Sequence, residues 1–322
     1  MAKLKLKGKD LLAIGYEQGR SVGVAIGIAM KHFKKQPKAE VLKLLKVIKD
    51  APESYLEDEI WGSLAKLLIK REEENPVQQL RSEIIDFPIY GEAAIEEGAK
   101  EQMRTAMRLP VTVAGALMPD AHYGYGLPIG GVLATENEII PYAVGVDIGC
   151  RMALSVFDLP SERLITHNEQ FQQILTDNSR FGFDTFDDPR DDEVLHRSLF
   201  GELPLLRKLK SKARQQIGSS GSGNHFVEFG ILELSADDNT LGLATGKYIA
   251  LLTHSGSRGL GANIAKHYTK IAMENCRLPQ EAKHLAWLSL GSEEGQEYWQ
   301  AMSLAGDESC RRLCFCLSSP HP

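Results

Sequence analysis

Between residues 110 and 261, short β-rich segments alternate with glycine-framed loops, and each loop sets a polar side chain beside a strand. Segments 111–118, 131–135, 143–147, 152–157, 225–232 and 247–253 are rich in aliphatic and β-branched residues and bounded by Gly or Pro, which is the signature of strands. Glycines at these boundaries let backbone come close to a ligand. Such a pattern excludes an all-helical bundle.

The flanks have a different periodicity. Val41, Leu42, Leu44, Leu45 and Ile48, and again Leu64, Leu67 and Leu68, recur at helical spacing, with Pro52 breaking the run between them. The first 80 residues are therefore expected to form a helical accessory layer, with 70–75 as its solvated end. The scattered glycines from Gly15 to Gly27 lack the preceding strand and fixed spacing of a phosphate loop, and read as helix packing. Residues 93–108 form an amphipathic helix that ends before Pro110, and 187–193 an acidic surface loop. Strands after helices, without internal repeats, give a mixed α+β class.

The polar residues cluster in four loops. MPDAHYGYGLPIGG (118–131) offers Asp120 and His122 before a glycine-rich turn; taken alone, Asp-x-His also reads as a turn cap beside a half-buried histidine. YAVGVDIGC (142–150) sets Asp147 and Cys150 three positions apart, so that on one turn both could face one ion. GSSGSGNHFVEF (218–229) leads through glycines 218, 221 and 223 into Asn224 and His225, and such loops expose N–H groups that can cradle a phosphate. KYIALLTHSGSRGLG (247–261) ends a strand at His254 and places Arg258 in a glycine-flanked loop suited to bidentate phosphate binding. Asp147, Cys150, His225 and His254 together supply a carboxylate, a thiolate and two imidazoles, a transition-metal set. Thiolate with imidazole is the usual company of zinc, so residue types alone do not fix the metal. Singly, each histidine also reads as an ordinary core or surface imidazole.

PDAHYGYGLPIGG, VGVDIGC, GSGNHF and HSGSRGLG, in this order, resemble the signature motifs of the RtcB-type RNA-splicing ligases, with the likeness covering about residues 88–306. The resemblance implies an RtcB-like fold with a central β-rich core and a GTP- and manganese-dependent ligase that joins RNA ends carrying a 2′,3′-cyclic phosphate or 3′-phosphate to 5′-hydroxyl ends. It implies that a histidine takes up guanylate from GTP before passing it to the RNA 3′-phosphate. By the same carry-over Asp147, Cys150, His225 and His254 are manganese ligands, Cys150 bridging two ions. Asn224, His225, Phe226, Val227 and Glu228 line the guanylate site, and Arg258 contacts phosphate. Asp120 and His122 match the first motif without an assigned step. Arg151 stands where many members of the family have glycine.

The expected partners are RNA with broken ends and a guanine nucleotide. PLLRKLKSKARQQ (204–216) concentrates Arg207, Lys208, Lys210, Lys212 and Arg214 and reads either as an RNA-backbone site or as a solvated helix face. A net charge of -6 requires any nucleic acid to sit in a locally basic groove. The longest apolar stretch near the start, 21–30, is far short of the roughly 20 residues of a membrane span, and no secretory signal is read, so a cytoplasmic location is expected. The cysteines show no secreted disulfide framework.

Residues 81–306 are expected to be a partial RtcB-like core and 307–322 an aberrant tail, because ESCRRLCFCLSSPHP fits no helix or strand that would continue the fold. On that reading the C-terminal part of the fold and the family's nucleophilic histidine are missing, and the chain is inactive as a ligase. The alternative is a metal- and guanine-nucleotide-binding remnant that binds RNA ends without joining them. A small zinc site from Cys310, Cys314, Cys316 and His321 is a further reading of the tail.

Overall fold

The computed structural model describes residues 4–17, 20–189, 191–235 and 242–315, with no side-chain description for 20, 70–74 and 310–315. The chain divides into two compact units, Met1–Leu80 with Met273–Lys283, and Arg81–Ala272 with His284–Pro322.

The first unit is built on α1 (Gly8–Leu12), α2 (Arg20–His32), α3 (Lys38–Asp50) and α4 (Gly62–Glu74). Leu11, Ala25, Ala29, Val41, Leu45, Ile48, Trp61 and Leu64 form its core. On α3 the buried residues Val41, Leu45 and Ile48 fall at the spacing of one helical stripe. The Tyr16 hydroxyl donates to the Leu45 carbonyl at 2.8 Å, so this buried phenol is satisfied. Gly23 and Gly27 do not mediate packing as expected: both are exposed on α2, and the buried face is Ser21, Ala25 and Ala29.

The second unit opens with α5 (Glu97–Met107), which packs beneath a hairpin of β1 (Thr112–His122) and β2 (Ile129–Thr135). Gly115 lets the two methionines pack close, since a Cβ would stand 2.5 Å from both Met103 Cε and Met107 Sδ and 3.0 Å from the Val132 carbonyl oxygen. A short β3 (Glu138–Ile139) is followed by α6 (Pro141–Val144). The strand expected over 143–147 is therefore not formed: Pro141 starts a helical turn, and Gly145 ends it at φ 100°.

The core of the unit is a three-stranded antiparallel sheet, from β4 (Arg151–Pro160), β5 (Phe226–Leu234) and β6 (Gly246–Ser255), with β6 central. Between β4 and β5 run α7 (Arg163–Thr166), α8 (Asn168–Asn178), α9 (Leu199–Glu202) and α10 (Pro204–Gln216). Phe171 of α8 meets Phe229 of β5 edge-on at 4.9 Å. After β6 come α11 (Arg258–Asn275), β7 (Leu288–Ser289), which pairs with β3, and α12 (Glu293–Phe315).

Helix α12 runs across the expected boundary at 307. Tyr298, Ala301, Leu304, Ala305, Glu308 and Ser309 are all buried at helical spacing, so the apolar stripe carries the helix past the expected break. Polar letters in ESCRRLCF concealed this because two of them, Glu308 and Ser309, face inward. Residues 316–322 lie outside the described residues, and with them Cys316 and His321 of the zinc reading. Among the described residues no helix is long and apolar enough to cross a membrane.

Two glycines separate backbone need from composition. Gly130 has φ 78° and its Cβ would lie 2.9 Å from Ala121 Cα, whereas a Cβ on Gly230 would meet nothing within 4 Å. We expect Gly130→Ala to lower unfolding free energy by more than about 1 kcal/mol, and Gly230→Ala to be neutral or stabilising by about 0.4–1 kcal/mol. Denaturant titration of both variants checks this; equal losses would contradict the hairpin geometry.

Candidate metal centre

Sheet register brings three expected ligands to one place. Met152 of β4 and Phe226 of β5 both pair with His254 of β6, so that Cys150, just before β4, and His225, just before β5, end at the same edge. Cys150 Sγ lies 2.9 Å from His254 Nε2 and 3.5 Å from His225 Nε2. The candidate donor atoms of Cys150, His225 and His254 all fall within 4.8 Å of one another. Ligands bound about 2.0–2.3 Å from a common ion stand roughly 3–4 Å apart, so the spacing and the donor set fit a transition metal.

Asp147 reaches the cluster through His225, whose Nε2 is 2.9 Å from Oδ2. Its other oxygen, Oδ1, accepts from the Ser257 amide at 2.6 Å and the Ser257 hydroxyl at 3.0 Å. Burial by itself raises the Asp147 carboxyl, but the Ser257 amide, the Cys150 thiol, the Ser257 hydroxyl and His225 outweigh it and hold the group below the ordinary carboxylate value. Burial first, and then the Asp147 carboxylate, push the Cys150 thiol up to about 12. A bound cation offsets this crowding of electron-rich donors.

Several supports carry no sequence signal of their own. A Cβ on Gly256 would fall 2.4 Å from Asp147 Oδ2 and 2.6 Å from His225 Cε1, so only glycine fits there. Gly221, at φ 139°, similarly lies against the His225 ring, with a Cβ position 2.5 Å from Nδ1. The Ser220 hydroxyl donates to the His254 carbonyl at 2.9 Å, and Ser255 donates to the Ser220 carbonyl at 3.0 Å. From α12, the Ser309 hydroxyl donates to the Gly149 carbonyl at 2.6 Å, while Gly149, at φ 78°, allows Gly306 Cα to approach where a Cβ would be only 2.8 Å away. The stretch expected to be an aberrant tail thus braces the residue before Cys150.

The remaining expected residues are distributed around this centre. Phe226 meets the His254 ring edge-on at 5.6 Å, and by strand alternation Glu228 shares its side of the sheet. Val227 falls on the opposite side with Phe229, so the stretch 224–228 does not face one site as a whole. Asn224 is exposed in the loop before β5. Arg258 begins α11 with φ 52°, and its Nε donates to the Ser219 hydroxyl at 3.1 Å. Lys212 of α10 approaches the same turn, since a Cβ on Gly259 would be 2.3 Å from its Cε. Arg207, Lys208, Lys210, Lys212 and Arg214 all lie on α10, with Leu206 and Ala213 buried beneath them. Asp120 and His122 are exposed at the end of β1, where His122 Nδ1 is 2.8 Å from the Asp120 carbonyl.

The family model described as tRNA-splicing ligase RtcB matches residues 102–200 and 202–310. The chain belongs to the RtcB family. Its match to the RtcB model runs on through Ser309, in keeping with the continuous helix α12. Among RtcB relatives, the tRNA-splicing ligase RtcB of Thermococcus kodakarensis is 31% identical over 247 residues, covering 64% of this chain and 51% of the relative. RNA-splicing ligase RtcB homolog 1 of Entamoeba dispar is 30% identical over 241 residues, covering 63% and 45%. RNA-splicing ligase RtcB2 of Escherichia coli is 34% identical over 179 residues, covering 54% and 42%. The chain spans about half the length of the curated relatives it matches.

Loss of a donor should lower metal content, and loss of a brace should weaken affinity with every donor kept. We expect Cys150→Ser and His225→Ala to reduce bound metal in elemental analysis. Ser309→Ala should weaken binding by roughly 10-fold, the usual scale for an outer-shell partner. Unchanged stoichiometry in both donor variants would remove the assignment.

Proposed function

We propose that this chain holds manganese, a guanine nucleotide and a phosphate-terminated RNA end for RNA ligation of the RtcB type. The observation that carries the reading is the convergence of Cys150, His225 and His254 within a chain of that family. Asp147, Cys150, His225 and His254 would hold the metal, with the Cys150 sulfur within reach of both imidazoles. Bound manganese neutralises phosphate charge and polarises the phosphorus–oxygen bonds.

The protein's own groups do the positioning. Phe226 and Glu228, on the His254 side of the sheet, line the nucleotide, with Asn224 at its rim. Arg258 and Lys212, converging on the start of α11, bind phosphate oxygens, and the cations of α10 attract the RNA backbone. Asp120 and His122 belong to the family's first motif as candidate catalytic residues, with no step assigned to either. Location in the cytoplasm belongs to this same reading.

His225 and His254 both turn Nε2 toward Cys150, an arrangement that suits ligands better than nucleophiles. That observation favours a second reading, in which this chain alone binds metal, nucleotide and RNA ends without joining them. An assay joining 3′-phosphate RNA to 5′-hydroxyl RNA with manganese and GTP separates the two.

Both readings require manganese-dependent GTP binding that Cys150→Ser abolishes and Asn224→Ala weakens, measured by titration calorimetry. RNA ending in a 3′-phosphate should bind more tightly than the same RNA ending in a 3′-hydroxyl. Replacing Arg207, Lys208 and Lys210 by Gln should flatten the salt dependence of RNA affinity, by roughly 0.7 in logarithmic slope for each phosphate no longer neutralised. Metal-independent GTP binding together with indifference to the RNA end would overturn the proposal.

A further inference from the structure

The loop after His122 carries a group of aromatic rings to which the site described above gives no task. Tyr125 is 81% exposed and Tyr123 is 64% exposed, although both lie in a loop fixed by side chains of α5 and the residue before it. Gln102 holds Gly124 from both sides: its Nε2 donates to the Gly124 carbonyl at 2.7 Å, and its Oε1 accepts from the Gly124 amide at 2.8 Å. The Tyr123 amide donates to Glu96 Oε1 at 2.5 Å, and the Tyr123 ring rests on Gly98, whose Cβ would be 3.0 Å from Cδ2. Gly124 is obligatory, because a Cβ there would stand 2.4 Å from the Leu127 carbonyl oxygen.

Behind this loop one pair of rings is stacked and a third meets it edge-on. Tyr142 of α6 lies on His284 with centroids 4.9 Å apart and planes at 27°, and Tyr125 meets Tyr142 edge-on at 6.4 Å. Gly126 lets the loop close on the pair, its Cβ position being 3.2 Å from His284 Cβ. Large exposed rings on a loop held at successive positions cost little ordering entropy when a planar ligand lands on them. Near-parallel ring stacking is also the geometry by which proteins take up unpaired nucleobases, with little regard to which base is present.

We propose that Tyr123 and Tyr125, backed by the Tyr142–His284 stack, form a platform for unpaired bases of a single-stranded RNA. The proposal rests on the RNA-end reading above and adds a subsite to it: bases stack on this loop while phosphates are held by α10 and Arg258. Asp120 and His122, directly before the loop, belong to the same family motif as the two tyrosines. Stacking contributes sequence-tolerant affinity that is not electrostatic, so its signature differs from that of the cations.

The test is fluorescence anisotropy with a labelled single-stranded RNA ending in a 3′-phosphate, on the full chain with manganese. Tyr123→Ala and Tyr125→Ala should each weaken binding by roughly 5- to 100-fold, with an unchanged salt slope. Tyr125→Phe should bind as the wild type does, while Tyr125→Leu should bind as Tyr125→Ala does. An RNA whose bases are replaced by abasic residues should lose the difference between wild type and the alanine variants. The platform is refuted if the double alanine variant binds like wild type, if Leu substitutes for Tyr125, or if the abasic RNA still distinguishes the proteins. A wild-type chain that binds no RNA refutes the RNA-end reading and the platform together; wild-type binding untouched by the alanine changes refutes the platform alone.

Discussion

The approach of the Cys150 sulfur to the Nε2 atoms of His254 and His225 governs much of the second unit. A thiol, two imidazoles and the Asp147 carboxylate are electron-rich groups that lose hydration when brought together, and no hydrophobic gain draws them to one another. Their convergence has to be enforced by backbone. Register in the sheet does this, because β6 contributes His254 from within the strand while β4 and β5 begin just beyond Cys150 and His225. A one-residue slip of either outer strand would turn its side chains to the opposite face.

Close approach at the strand ends makes glycine a spatial requirement. Gly256, Gly221 and Gly149 each stand where a methyl group would overlap a ligand-bearing residue or the helix that braces it. Serines then take up the polar backbone that such tight turns leave over: Ser220 bonds the His254 carbonyl and Ser309 the Gly149 carbonyl. Arg258, held at positive φ, is the one charged residue among these turns that accepts backbone strain directly. Strain of this kind persists only where the surroundings fix it, and the Ser219 contact to its guanidinium is part of that fixing.

How much of this could be read beforehand follows from the range of each interaction. Cys150, His225 and His254 were legible because each is a ligand-type residue in a glycine-framed loop at a strand end, and the order of the loops resembled one family. The helical stripe of α3 was legible because periodicity is local. Residues 143–147 were misread because their apolar letters suit a strand or a short helix equally, and Pro141 and Gly145 decided between them. Ser309 could not be found by pattern, since its partner Gly149 lies 160 residues away and the serine counts as polar in any local window. Val227 sat within an expected binding stretch that strand alternation divides between two faces.

If the chain takes up single-stranded RNA as proposed, the positive charge of α10 and the rings of the tyrosine loop would meet it in different ways. Lys208 and Lys212 lie one helical turn apart on an exposed face, and long flexible cations of this kind attract a phosphate chain without fixing where each nucleotide stops. Gln102 and Glu96 instead immobilise the backbone of Tyr123 and Gly124 before any ligand arrives. A chain with net charge -6 repels polyanions at long range, so local cations have to lead the encounter. Once the two have met, screened charge falls off over about 10 Å in ordinary salt, and position has to come from short-range groups. Flat rings on a rigid loop would meet that need, and on the proposed reading such a division of labour gives a purpose to an adaptable basic face and a fixed aromatic one within the same unit.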